Sequence, residues 1–318
     1  MTISHDPQSD MENDKMAKLT KRALACWALL GVYVTCSGSV LQLSSDTTWT
    51  DLSALNGYDG VEIANGRTLT LNPASGTTMN FNKPISGAGG VVKDGAGTLE
   101  LRAANTFSGL FIIGGTGDVY AYTDAAFGSS AGRTTLYEHL YTGGVKDTSA
   151  DGANLYLCGI TTDEGFDLVS NTGAKYLYAQ ASTDNTINGS VTVNGGQTSV
   201  YALSGATLRF RGGISVAGSG SLRPSAASNG KVIVENNPMS AGMWNAIKGD
   251  GCLVLSAPGN SCGYTFLPIV LDCDWAFNGA SVNWQTGSLH MKVDLNGHAN
   301  RVAGINVTNS DSFMTGEV

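Results

Sequence analysis

Gly97-Thr98-Leu99-Glu100-Leu101-Arg102-Ala103 returns later in the chain as Gly251-Cys252-Leu253-Val254-Leu255-Ser256-Ala257, and a lysine-containing glycine turn precedes each copy, Lys93-Asp94-Gly95 and Lys248-Gly249-Asp250. What repeats is a unit, a glycine turn followed by alternating apolar residues. The same form recurs in Gly66-Arg67-Thr68-Leu69-Thr70-Leu71, Gly205-Ala206-Thr207-Leu208-Arg209-Phe210, Gly220-Ser221-Leu222-Arg223 and Gly230-Lys231-Val232-Ile233-Val234. An apolar residue at every second position marks a strand with one buried face. Outside Ala23 to Val34, no window sustains a 3.6-residue apolar stripe, so helix is nearly absent.

Short strands between clusters of Gly, Asn and Ser could build a sandwich, a barrel or a solenoid. Recurring units separated by single glycine-rich turns favour stacked coils, because no coil can bury its apolar face alone. The expectation is an all-β solenoid of coils of roughly 20 to 25 residues, stacked ~4.8 Å apart. Composition agrees: Gly is 42 of 318 residues and only 14% are charged, yet 42% are hydrophobic, too many for a glycine-rich disordered chain.

Lys15, Lys18, Lys21 and Arg22 form a basic segment ahead of the apolar stretch Ala23 to Val34, and the small residues Ser37-Gly38-Ser39 follow. That is the order of a signal peptide, and the apolar stretch is shorter than the ~20 residues of a membrane-spanning helix. Residues 1–39 are read as an N-terminal extension and signal peptide cleaved after Ser39, and residues 40–318 as an exported solenoid domain. The residues before Cys36, Tyr33-Val34-Thr35, do not make a lipidation signal.

The first 39 residues hold four acidic and four basic side chains, so residues 40–318 carry the whole formal charge of −8. A chain so acidic, with no basic patch, is not a nucleic-acid binder and does not adsorb to anionic lipid. Contact with a membrane would come through the signal peptide or an anchor beyond this sequence. Cys158, Cys252, Cys262 and Cys273 remain after cleavage, in a compartment where disulfides persist. Four cysteines allow three pairings, and buried free thiols are the equal alternative. There is no Cys-x-x-Cys, and His139, His290 and His298 are scattered, so neither a zinc site nor any other metal or cofactor is expected.

The stretch Ile85-Ser86-Gly87-Ala88-Gly89-Gly90-Val91-Val92-Lys93-Asp94-Gly95-Ala96-Gly97, continued by Thr98-Leu99-Glu100-Leu101-Arg102-Ala103-Ala104-Asn105-Thr106-Phe107-Ser108-Gly109, closely resembles the autotransporter-associated β-strand repeat. The likeness runs on through Ile112-Ile113-Gly114-Gly115 to Asp124-Ala125-Ala126-Phe127-Gly128, placing one repeat near 83–128. Val293-Asp294-Leu295-Asn296-Gly297 to Ile305 looks like the piece that often follows such repeats. The resemblance implies a right-handed parallel β-helix of the passenger type, displayed at the cell surface or outer membrane or released outside the cell, with adhesion as the usual role and no enzyme activity. Family members usually carry several repeats and many end in a membrane β-barrel. This chain shows one clear copy and closes on Thr315-Gly316-Glu317-Val318, so it is read as a fragment.

Chemistry-bearing motifs are few. Asp272-Cys273-Asp274 places two carboxylates on one side of a strand, the arrangement a glycosidase needs, though beside Trp275 and Phe277 and without a supporting basic residue. Gly114-Gly115-Thr116-Gly117-Asp118 is one position short of a calcium nonapeptide and reads as a turn. Zincin and phosphate-loop motifs are absent. Tyr264, Trp275 and Trp284 are candidates for a sugar-binding face, with core packing as the rival. The leading expectation is therefore a non-enzymatic adhesin or structural spacer that contacts an extracellular glycan or a host or matrix protein. The alternative is a carbohydrate-active β-helix, a lyase or glycosidase, acting through Asp272 and Asp274.

Overall fold

The computed structural model describes residues 38–137, 153–170, 175–217 and 221–235 as continuous stretches. Beyond these it describes a hairpin at 141–146 and short strands between 252 and 307. Contacts divide the chain into Met1–Gly38 and Ser39–Val318, and the account below concerns the second unit. The signal peptide expected before Val40 lies outside the described residues, as do Asp272, Asp274 and Trp275.

The described residues from Ser39 onward wind as a β-solenoid of the right-handed type, with no α-helix among them. Each coil contributes strands to as many as three faces, and strands of successive coils pair in parallel. One face stacks eight strands, from Thr47–Trp49 to Ile214–Ala217. Another stacks seven, from Thr78–Phe81 to Ser221–Ala226. These are called the second and third faces below. The first face opens with Val40–Leu43, Gly60–Ile63 and Ile85–Gly87 and resumes as seven strands from Thr161–Thr162 onward. Between those two runs the coils are still joined: Thr106 N–H donates to the Ile85 carbonyl, Ser108 to Gly87 and Ser129 to Phe107.

The period-two reading of the sequence becomes the register. In Thr98–Leu101, Leu99 and Leu101 are buried while Thr98 and Glu100 are half-exposed. Met79, Leu99, Val119, Leu155, Leu177 and Val200 form one inward row. Leu69, Val91, Phe111, Thr134, Phe166, Val191 and Ile214 form another. Each fully buried Leu, Val, Ile or Phe contributes about 1.5–3 kcal/mol, and each touches mainly the coils directly before and after it, so stability accumulates coil by coil.

The stacked turns explain the glycines of the repeat. Gly95 and Gly115 both have positive φ, +79° and +61°, which L side chains rarely adopt. Gly117 lies against the Gly97 carbonyl of the preceding coil, leaving no room for a Cβ. The lysine before these turns is not a solvated turn residue. Lys93 is fully buried, inward between Leu71 and Ile113, and its Nζ donates to the Gly95 carbonyl at 2.7 Å and the Gly117 carbonyl at 2.9 Å. Burial lowers its pKa to about 8, with Asp94 and Asp118 opposing. Asn105 joins neighbouring coils in the same way: its Oδ1 accepts from Ile85 N–H at 2.9 Å and its Nδ2 donates to the Ala126 carbonyl at 2.6 Å.

One coil is longer than its neighbours. Leu99 pairs with Val119, 20 residues on, but Val119 pairs with Leu155, 36 residues on. The extra length falls in sequence between Thr134–Tyr137 on the second face and Leu155–Leu157 on the third. It includes an antiparallel hairpin of Tyr141–Thr142 with Val145–Lys146, whereas the coil strands pair in parallel.

Candidate ligand-binding face

The outward side of the third face carries the most distinctive chemistry. Four tripeptides, Val119-Tyr120-Ala121, Leu155-Tyr156-Leu157, Leu177-Tyr178-Ala179 and Val200-Tyr201-Ala202, each bury their first and third side chains and turn the tyrosine out. Parallel register places the four tyrosines in one row. Tyr120 and Tyr156 are 4.5 Å apart, centroid to centroid, with planes 7° apart, and Tyr156 and Tyr178 are 4.6 Å apart at 8°. Tyr201 continues the row at 5.7 Å, tilted by 48°. Tyr122 lies beside Tyr120 and Tyr176 beside Tyr178, both nearly parallel to their neighbours. Offset and near-parallel aromatic pairs each contribute about 0.5–1.5 kcal/mol beyond burial, so the row is a stabilising element as well as a surface.

Charged groups border the tyrosines. Glu100, on the rung before Tyr120, bonds Arg102 Nε at 2.8 Å, and the Arg102 guanidinium sits 4.0 Å above the Tyr122 ring. Asp118 accepts from Asn154 Nδ2 at 2.9 Å. Burial raises the hydroxyl pKa of Tyr120, Tyr156, Tyr178 and Tyr201, Tyr178 to about 12, and the Asp118 carboxylate pushes the first three further up. All four phenols therefore stay protonated at any physiological pH. Cys158, next in line after Tyr122, carries a free thiol. Burial, then Glu100, pushes its pKa up to about 11, which keeps it an unreactive thiol.

A second polar cluster lies where the first face turns into the second. Glu164 is 3% exposed, and its Oε1 accepts from Thr134 Oγ1 at 3.1 Å while its Oε2 has no partner. Burial lifts its pKa to about 7, although the Thr134 hydroxyl and Arg133 pull it down. Arg133 itself is held by Asp167 through two hydrogen bonds of 2.9 and 2.8 Å. A raised carboxylic acid near a carboxylate resembles an acid and base pair in outline, but Glu164 is buried and Asp167 is ion-paired with Arg133. The cluster ties coils together.

The sequence-based candidates fall differently. Asp272, Asp274 and Trp275 lie outside the described residues. The strands Tyr264–Thr265 and Ser281–Trp284 pair in parallel, setting Thr265 opposite Trp284. Gly114 to Gly117 is a turn stacked on Gly95 to Gly97, and Asp118 is committed to Asn154. Sequence reasoning missed the tyrosine row, for which the recurring apolar-Tyr-apolar tripeptide was the available signal.

With this geometry in hand, comparison with known proteins adds one stretch of likeness. Over 80 residues the chain is 39% identical to the adhesin BmaC autotransporter of Brucella suis biovar 1 (strain 1330), a match that covers 23% of this chain and 2% of that protein. The matched stretch and the stacked parallel coils both resemble an autotransporter-associated β-helix. It spans a small part of the length of the curated relative it matches. No protein-family profile matches the chain, and no solved structure matches it.

Proposed function

We infer that this chain is a segment of an exported, non-enzymatic surface protein that acts as an adhesin-like passenger. The observation that supports this most is the stretch of identity with an autotransporter adhesin, in a chain whose coils stack into the fold the repeat implies. A solenoid suits the role because its core is generic and uniform, leaving the outward rows of each face and the corners free to carry contacts. Export follows from the basic-then-apolar order of residues 15–39.

The test is incubation of the full chain with host cells and with an array of mucin-type and plant glycans, followed by analysis of the glycans for cleavage. Saturable binding without products is the expected result. Products would transfer the protein to the carbohydrate-active class, and absence of binding to cells and glycans alike would leave it a spacer. Expression in a bacterial host with its own export machinery should yield a mature chain beginning at Val40. An intact N-terminus on the exported protein would overturn the cleavage reading.

A further inference from the structure

The tyrosine row has a chemistry that narrows what it can hold. Rings stacked 4.5 and 4.6 Å apart cover one another's faces, so the row presents ring edges and hydroxyls outward instead of flat platforms. A sugar cannot lie on the face of a ring in the middle of such a stack. The stacking also fixes the rings before any ligand arrives, so binding costs little side-chain freedom. What is offered is a line of preorganised phenols, each both donor and acceptor, one to a rung.

Charge removes two ligand classes. Glu100 and Asp118 beside the row, on a chain of net charge −8, disfavour an anionic polymer. A cation would seek a carboxylate next to an aromatic face, and that arrangement is already filled from within, since Arg102 bonds Glu100 and covers Tyr122. Asp118 is likewise engaged by Asn154. An uncharged, hydroxyl-rich polymer remains. A polymer laid along the stacking direction meets one phenol per rung, every ~4.8 Å.

We propose that Tyr120, Tyr156, Tyr178 and Tyr201 form the contact line for an extended, uncharged polysaccharide lying along the stacking direction, held by hydrogen bonds between phenols and sugar hydroxyls. This rests on the adhesin-like reading above and gives it a ligand class and a surface.

The experiment uses the full chain and polymers of one backbone with three charges: hydroxyethylcellulose, carboxymethylcellulose and quaternised hydroxyethylcellulose. A linear galactomannan serves as a second neutral probe, and all binding is measured by calorimetry at physiological salt. The expected result is preference for the neutral polymers. Tyr156→Phe with Tyr178→Phe, which keeps the stack and removes two hydroxyls, should weaken binding about tenfold. Tyr156→Ala with Tyr178→Ala should weaken it further, with circular dichroism and urea midpoints checking that each variant folds. The proposal fails if neither neutral polymer binds, if a charged polymer binds more tightly, or if the phenylalanine variant binds as well as the parent. If cells still bind the parent and the phenylalanine variant equally, the tyrosine row is refuted while the adhesin-like reading stands.

Discussion

Glu164→Gln should make the solenoid more stable in alkaline solution and leave it nearly unchanged in acid. In the folded protein the carboxyl titrates at about 7, against an ordinary 4.5. A folded value above the unfolded one means the fold favours the protonated acid. The stability this contributes is fully present below 4.5 and is lost as pH rises through 7. At about 1.4 kcal/mol per pH unit, the gap corresponds to about 3 kcal/mol between pH 4 and pH 8.5. The cause is burial: the carboxyl is 3% exposed, its Oε2 has no partner, and Arg133 is committed to Asp167. Glutamine keeps the shape and the Thr134 bond without a proton to lose. Urea unfolding of both proteins at half-unit steps from pH 4 to pH 8.5 measures the difference, in which other titrations cancel. A stability difference that stays flat across this range, or one in which the parent gains on the variant as pH rises, would refute the reasoning.

Three further outcomes are expected. Asn105→Ala removes a buried amide that bonds Ile85 N–H and the Ala126 carbonyl, and should cost about 3 kcal/mol in urea unfolding; a cost under about 0.5 kcal/mol would show that these coils are not joined there. Gly117→Ala pushes a Cβ into the Gly97 carbonyl of the preceding coil and should cost about 1–3 kcal/mol, so an unchanged urea midpoint contradicts the stacked turn. The Cys158 thiol should resist iodoacetamide at pH 8 in the native protein and react freely in urea, read as mass added to its peptide. Complete native labelling within minutes would show the thiol to be more acidic and more open than described.

Period-two alternation made the strands and their inward rows legible: Leu99 and Leu101, Leu208 and Phe210, and Val232 and Val234 are buried as their spacing requires. The glycine-turn unit gave the stacking, because a coil with a buried side and no partner of its own needs a neighbour. Lys93 was not legible. Its position beside a glycine turn marks a solvated lysine unless the next coil's turn carbonyls are known to lie within reach of its Nζ. The tyrosine row was hidden for a related reason, since Tyr120 and Tyr156 become neighbours only across the lengthened coil, which breaks the spacing a repeat search follows. Glu164 carries no local signature either, because its hydrogen-bond partner Thr134 lies on the coil before it.

The lengthened coil bears on how such a chain can change. Thr134 still pairs with Phe166, and Val119 with Leu155, although this coil is 16 residues longer than the one before it and holds the antiparallel pair Tyr141–Thr142 with Val145–Lys146. The corner is thus a splice point: material can be added or removed there without re-threading any rung, whereas one residue gained inside a strand would turn its inward side chains outward. Evolution and engineering meet the same allowance, and a foreign loop grafted at this corner would be presented beside the tyrosines on a scaffold that need not be redesigned.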